Sequence, residues 1–381
     1  MKKFFILLFI GLCFVSTVYA GEPPTVLYDQ AKILYQQSLD TDSTKVKKAY
    51  RQQILKLVPE SDLGYFSKAW LLDIEDTPDF NKATIYYSKA IELNPDLVIA
   101  YSNRGCDYIA LGQYQKAIDD YTKAIELDPK FAYAYNNRGR AFHVLGEYQN
   151  AIDDYTKAME LDSEINVYYF RGQAYYELGE KYEINQSIYE QSDEEKGQAK
   201  EEKKELYLQS IEDLSKAIET DTTNSEIYLN RGVSYERIEE NEKAINDHTI
   251  AIKLNPKFAL AYRNRGHYYK IKNLLTTADD DFYQAGLLYL KQGYGDDAIE
   301  CLNSMDPCYD FKTGEITNRV YTKLLNKICE YYYNNCLQYL NKNDRTEALK
   351  CIDKIKEVNP KSSLIKQLMD KIYAEPTKKK K

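Results

Sequence analysis

Small and apolar residues recur along this chain at helical spacing, and the pattern itself then recurs as a block. In Tyr101 to Pro129, YSNRGCDYIALGQYQKAIDDYTKAIELDP, the residues Tyr101, Gly105 and Tyr108 fall at i, i+4 and i+7. Ala117, Tyr121 and Ala124 repeat that spacing downstream. A period of 3.6 residues puts each triplet on one face of its own helix. The glycine and alanines let two such helices approach closely, and the tyrosines fill the gaps between them. Polar residues take the remaining positions, so the pattern predicts two amphipathic helices joined by a turn at Gly112.

The block returns from Tyr135 (YNNRGRAFHVLGEYQNAIDDYTKAMELD), Tyr168 (YYFRGQAYYELGE, then an interruption, then IEDLSKAIETD), Tyr228 (YLNRGVSYERIEENEKAINDHTIAIKLNP) and Tyr262 (YRNRGHYYKIKNLLTTADDDFYQAG). Gly105 and Gly139 are 34 residues apart, as are Gly232 and Gly266. A fixed period of this length is the signature of a repeat array, in which each unit buries its face only against its neighbours. The period, the two-helix unit and these residue types resemble the tetratricopeptide repeat family. The resemblance implies an all-α, right-handed superhelical array of helix-turn-helix units.

Around that core the chain divides into an N-terminal helical cap at 21–63, a divergent unit at 64–97, and units at 98–131, 132–164, 165–224, 225–258 and 259–292. The repeat decays over 293–328, returns weakly at 329–362 and ends in a capping helix and lysine tail at 363–381. In the cap, Tyr28, Ala31, Leu34 and Tyr35, then Val46, Ala49, Tyr50 and Ile54, keep helical spacing without the repeat motif. Ile316 to Leu340 reads as one long helix, and Asp306-Pro307 ends the one before it. Asn94-Pro95, Asp128-Pro129, Asn255-Pro256 and Asn359-Pro360 stand at joins, where Asn or Asp followed by Pro in the first helical position is expected to start the next helix and stop the previous one. Gly112, Gly146 and Gly179 are expected at turns that need a positive φ.

The unit at 165–224 is interrupted at about 180–205 by a charged stretch that includes QSDEEKGQAKEEKKE. An extension at this turn does not cross the core. It prolongs both helices as a hairpin or stays disordered, and the sequence leaves both open.

An arginine and an aspartate also recur together, outside the family pattern. Arg104, Arg138, Arg171, Arg231 and Arg265 each precede the helix glycine, and Asp120, Asp154, Asp213, Asp247 and Asp281 stand in the second helices of the same units. In the divergent units these sites hold Trp70 with Tyr86 and Asn335 with Cys351. Arg and Asp are present together or absent together, which predicts a structural pair tying the two helices of a unit.

Residues 1–20 read as a secretory signal: Lys2 and Lys3, an apolar run from Phe4 to Val15, then Val18-Tyr19-Ala20 as the cleavage site. The run is short for a membrane span, and no later stretch is apolar enough to cross a bilayer. The expected location is therefore periplasmic or secreted, in a bacterial setting, with the signal either cleaved after Ala20 or kept as an anchor. Export makes the cysteines relevant. After Cys13 leaves with the signal, Cys106, Cys301, Cys308, Cys329, Cys336 and Cys351 remain. Cys336 and Cys351 fall on facing helices, as a disulfide or as buried packing residues.

The chain has 381 residues and a formal charge of −8, with the only basic run at Lys378–Lys381. Nucleic acid is therefore not an expected partner. There is no phosphate-binding glycine loop, no His-Glu-x-x-His, no Cys-x-x-Cys and no nucleophile elbow, so no catalytic residue, metal site or cofactor is assigned. Ser363-Leu364-Ile365-Lys366 matches Ser-x-x-Lys without companion motifs. His248 takes the site of Tyr121 and Tyr155 as a packed ring, while His143 and His267 are expected on exposed faces.

The resemblance implies that the first helices line a groove that holds a protein or peptide partner. Its residues would be Tyr133, Asn136, Arg140 and His143, then Tyr169, Gln173 and Tyr176, then Arg263, His267 and Lys270, with Lys68, Ile99, Ser102, Ile109, Leu229 and Glu236 beside them. Tyr, Asn, Arg and His suit a peptide bound by hydrogen bonds and aromatic contact. The family's clamp for a C-terminal carboxylate needs Lys and Asn at fixed sites in successive units, and of these Lys positions only Lys68 matches while Tyr133 replaces the later one. The alternatives are a cell-envelope scaffold, or a cell-wall glycan binder, using other surfaces.

Overall fold

A computed structural model describes residues 24–186, 193–305, 318–342 and 344–373. The signal peptide, Asp306-Pro307, Cys308, Ile316 and the lysine tail lie outside these residues. The described residues form 18 α-helices and no strand, arranged as an all-α repeat array. They divide into two compact units, Met1–Ala174 and Tyr175–Lys381.

The first unit begins with α1 (Pro24–Leu39), α2 (Thr44–Leu57), α3 (Asp62–Asp73) and α4 (Phe80–Leu93). It continues with α5 (Val98–Ala110), α6 (Tyr114–Leu127), α7 (Ala132–Val144), α8 (Tyr148–Leu161) and the start of α9 (Tyr168–Gln186). Helices pair as the triplets require. Tyr121 is buried flat on Gly105, where an added Cβ would lie 2.8 Å from its ring, and Tyr155 is set on Gly139 at 2.9 Å in the same way. Gly112 and Gly146 have φ of +70° and +74° with open space around them, so their glycines serve the turn.

Gly179 departs from that expectation. It lies inside α9, and a Cβ there would meet the Tyr207 ring at 2.8 Å. With the extension carrying α9 past the usual turn, this glycine permits a close helix approach instead of a chain reversal. The Asn/Asp-Pro joins stop the previous helix as expected but do not cap the next one. Asn94, Asp128 and Asn255 end the preceding helices, their backbone N–H groups donating to Ala90, Ala124 and Ala251. Their side-chain Oδ1 atoms accept from the backbone N–H of Asp96, Lys130 and Lys257, closing a turn. The next helices start four residues later, at Val98, Ala132 and Ala259, because proline disfavours helical φ/ψ in the residue before it and the Asn or Asp is needed for the turn.

The second unit takes in the rest of α9, then α10 (Asp193–Thr220), α11 (Ser225–Arg237), α12 (Asn241–Leu254), α13 (Ala259–Ile271) and α14 (Leu275–Gln292). It ends with α15 (Gly295–Ser304), α16 (Arg319–Asn341), α17 (Arg345–Val358) and α18 (Ser363–Tyr373). The extension is helical where it is described, prolonging α9 to Gln186 and starting α10 at Asp193; residues 187–192 lie outside the described residues. The long helix begins at Arg319, capped by Asn318, whose Oδ1 accepts from Val320 and Tyr321 N–H at 3.0 Å each. Cys301, Cys329, Cys336 and Cys351 are free thiols packed in one apolar cluster with Leu302, Leu324 and Ile352.

Candidate functional site

The arginines that precede the helix glycines are structural brackets. Arg104 Nε and Nη2 hold both oxygens of Asp120 at 2.8 and 2.7 Å, and Arg138 holds Asp154 at 2.8 Å twice. In the second unit Arg231 grips Asp247 at 2.7 and 2.9 Å, and Arg265 grips Asp281 at 2.8 Å twice. The remaining Nη1 donates to a hydroxyl in the preceding repeat: Ser88, Thr122, Thr156 for Arg171, Ser215 and Thr249. These guanidinium groups therefore tie a repeat to the one before it, a third arm that the Arg–Asp comparison missed. The hydroxyls recur 15 or 16 residues before each arginine, so the signal was present in the sequence. Asp213 is buried as well. These charges are fixed in the scaffold, which leaves other residues for recognition.

On α7 the neighbours of Arg138 are differently placed. Tyr133 is 59% exposed. Arg140 is exposed, with its guanidinium 5.5 Å above the Phe170 ring, and it makes no ion pair among the described residues. Asn136 is half-buried and its Oδ1 has no donor. His143 is half-buried, not exposed as the pattern suggests: its ring meets Tyr148 edge-on at 5.4 Å, Nε2 is enclosed, and burial lowers its pKa. Tyr169 Oη accepts from Gln173 Nε2 at 3.1 Å one turn along α9.

The second unit treats its predicted residues otherwise. Arg263 Nη1 lies 3.1 Å from Glu300 and 3.8 Å from Asp297, and Lys270 Nζ donates to the Ser304 carbonyl at 2.6 Å. Both partners belong to α15, so the chain's own helix engages that face. His267 is exposed with its ring edge 5.0 Å from Phe282, and partial burial of its imidazole lowers its pKa. Tyr176 Oη accepts from Arg237 at 3.3 Å. His248 is fully buried against Gly232 and bonds Glu236 Oε1 through Nε2 at 2.7 Å.

The sequence reading missed a buried carboxyl pair. Asp73 on α3 and Asp107 on α5 face one another, and Asp73 Oδ1 and Asp107 Oδ2 are enclosed without any N–H or O–H donor. Two neighbouring carboxyls enclosed without a donor disfavour double ionisation, which keeps one of them protonated. Burial, and then the charge of Asp73, raise Asp107 to about 8, while burial raises Asp73 to about 6. Tyr87 Oη donates to Asp73 Oδ2 at 2.5 Å and accepts from Asn103 Nδ2 at 3.2 Å. The signal was legible: Asp107 stands two residues after its helix glycine, where later units have Ala141, Ala174 and Ser234, and Asp73 holds the same register one period earlier.

A family model described as tetratricopeptide repeat matches residues 98–131 and 132–164, the two units whose brackets and tyrosine-on-glycine contacts are described above. Residues 98–164 are tetratricopeptide repeats. The chain is similar to human tetratricopeptide repeat protein 6, with 37% identity over 76 residues, and that match spans 20% of this chain and 14% of the length of the human protein. Solved structures similar to this chain include YrrB, a tetratricopeptide repeat protein with an unusual peptide-binding site, at 22% identity over 57% of this chain and 97% of YrrB (TM-score 0.42). MamA protein is 24% identical over 52% of this chain and 95% of its own (TM-score 0.40). A Parabacteroides merdae tetratricopeptide repeat protein is 15% identical over 82% and 98% (TM-score 0.44).

Proposed function

We propose that this chain is a non-catalytic binding module that acts outside the cytoplasm and holds a peptide or protein segment along the α7 face of its first unit. Tetratricopeptide repeats mediate protein–protein interaction. The observation that carries the reading is the contrast within one helix. Arg138 is locked between Asp154 and Thr122, whereas Arg140 has no carboxylate partner among the described residues and stands with exposed Tyr133, next to an Asn136 whose Oδ1 is enclosed without a donor. An aromatic anchor, a guanidinium without a carboxylate and an amide on adjacent turns suit a segment bound by its backbone and an acidic side chain.

The test is photo-crosslinking in cells from a benzoyl-phenylalanine placed at position 133, with a second at exposed position 123 on α6 as the control. A specific adduct from position 133 that disappears with Asn136→Ala and Arg140→Ala supports the groove. Adducts only from position 123, or ones indifferent to the two substitutions, refute it. Export is tested by sequencing the N-terminus of the mature chain, which should begin at Gly21.

A further inference from the structure

The extension of α9 and α10 builds a feature that the other repeats lack. Glu180, near the end of α9, accepts from Tyr207 Oη at 2.6 Å and from Arg237 Nε and Nη2 at 2.7 and 2.8 Å. Tyr182 Oη donates to Glu202 beside it. These contacts fix the first half of α10 against the C-terminal end of α11 and leave an open cleft of about 570 Å³ between them. One wall is Lys200, Lys203, Lys204 and Tyr207, at i, i+3, i+4 and i+7, hence a single stripe of the helix. Glu202 and Glu205 fall on the other side of α10, and Glu201 lies between the two faces, one turn from Lys204.

This sorting of charge is costly to an isolated helix. Lys200 with Lys204 and Glu201 with Glu205 are like pairs at i, i+4, which repel. Elsewhere the exposed helices alternate charge and pair it: Lys123 with Glu126 at 3.0 Å, Lys157 with Glu160 at 3.0 Å, Lys327 with Glu330 at 2.9 Å. Even α10 does so once it leaves the cleft, where Lys216 meets Glu212 at 2.6 Å. A merely solvated helix has no reason to give up those pairs. Lys200 and Lys204 are exposed and have no carboxylate partner among the described residues. On the far wall Glu236 is held by His248, and the Arg237 guanidinium is held by Glu180. Glu239 is the remaining rim carboxylate, in a left-handed turn (φ +64°) where two other repeats have glycine.

We propose that this lysine-walled cleft docks an acidic segment, a short run of Asp and Glu, from a partner protein. The inference rests on the chain being a protein-binding module but not on the α7 groove. A peptide fits better than nucleic acid: the lysine stripe covers little more than one helical turn, Tyr207 is buried and offers no face for base stacking, and the chain is acidic overall.

The experiment is fluorescence anisotropy of a labelled peptide of about eight Glu and Asp residues against the full mature chain, at low and moderate salt. Saturable binding is expected, weakened by salt, and reduced about tenfold or more by Lys200→Gln with Lys204→Gln, a pair that keeps helix propensity. Lys216→Gln, and separately Lys123→Gln, should leave it unchanged, since each of these lysines is already paired with a carboxylate. Circular dichroism confirms that each variant is folded. The proposal is overturned by an absence of saturable binding, by equal binding in the Lys200/Lys204 variant, by equal affinity for a lysine-rich peptide of the same length, or by an oligonucleotide that binds as tightly with the same sensitivity.

Discussion

The substitution Asp107→Asn should change how the stability of the first unit depends on pH. In the folded chain Asp107 titrates near 8 and Asp73 near 6, while unfolded aspartates titrate near 4. Between about pH 4 and 8 the folded state therefore holds more protons than the unfolded one. Stability falls as pH rises through that window and levels off above it. Counted from pH 5, Asp107 keeps its extra proton over about three pH units and Asp73 over about one, which sets a ceiling of about 5 kcal/mol between pH 5 and 9, and outward relaxation of half-buried Asp73 should reduce the loss to roughly 2–3 kcal/mol. For a unit of about 150 residues that is a drop of roughly 4–12 °C in Tm between pH 5 and pH 9. The amide introduced by Asp107→Asn can donate an N–H to an ionised Asp73 and needs no proton. The assay is thermal and urea unfolding of both chains from pH 5 to 9, read as the difference between their profiles. The difference matters because His143 and His267, whose pKa values burial lowers, contribute the opposite slope in both chains. Parallel profiles for the two chains, or a wild type that gains more stability toward pH 9 than the variant, would refute the retained proton.

Arg138→Ala should cost about 3–5 kcal/mol because it strands a buried Asp154, whereas Lys123→Ala, which breaks an exposed pair, should cost about 0–1 kcal/mol. Asp154→Ala and the double variant complete a cycle by urea unfolding, and additive losses would show that the bracket is not a coupled unit. Thr122→Val removes only the third arm and should cost about 1 kcal/mol by the same measurement. Gly105→Ala should destabilise by about 1–3 kcal/mol despite alanine's better helix propensity, since its Cβ would press on Tyr121 at 2.8 Å; an unchanged melting curve would place slack at that contact. Glu239→Gly relieves a left-handed backbone and should stabilise by about 1 kcal/mol in thermal melts.

The amount legible in the sequence differs from element to element. The tyrosine-on-glycine contacts followed from the i, i+4, i+7 triplets, because a helix places those residues on one side whatever surrounds it. The Asn/Asp-Pro joins were expected to serve both helices and serve only the one they end, since the same residue types cap a start and close a turn, and only backbone geometry separates the two. Gly179 has the spacing of a turn glycine, yet the extension carries α9 through it. Arg263 and Lys270 matched the groove register, yet α15 supplies the carboxylates and carbonyl that engage them, and α15 follows a stretch where the repeat pattern fades.

What the sequence determined by itself is the repeat: its period, its paired helices and its all-α class, because these depend on spacing along one chain and on residue size. The tertiary structure decided which polar groups are available to a partner. Arg138 and Arg140 are the same residue two positions apart, and Asp107 differs from Ala141 only by a carboxyl group at an equivalent site. Whether each is locked, exposed or protonated depends on neighbours brought in from other helices, through distances and burial that no linear pattern encodes.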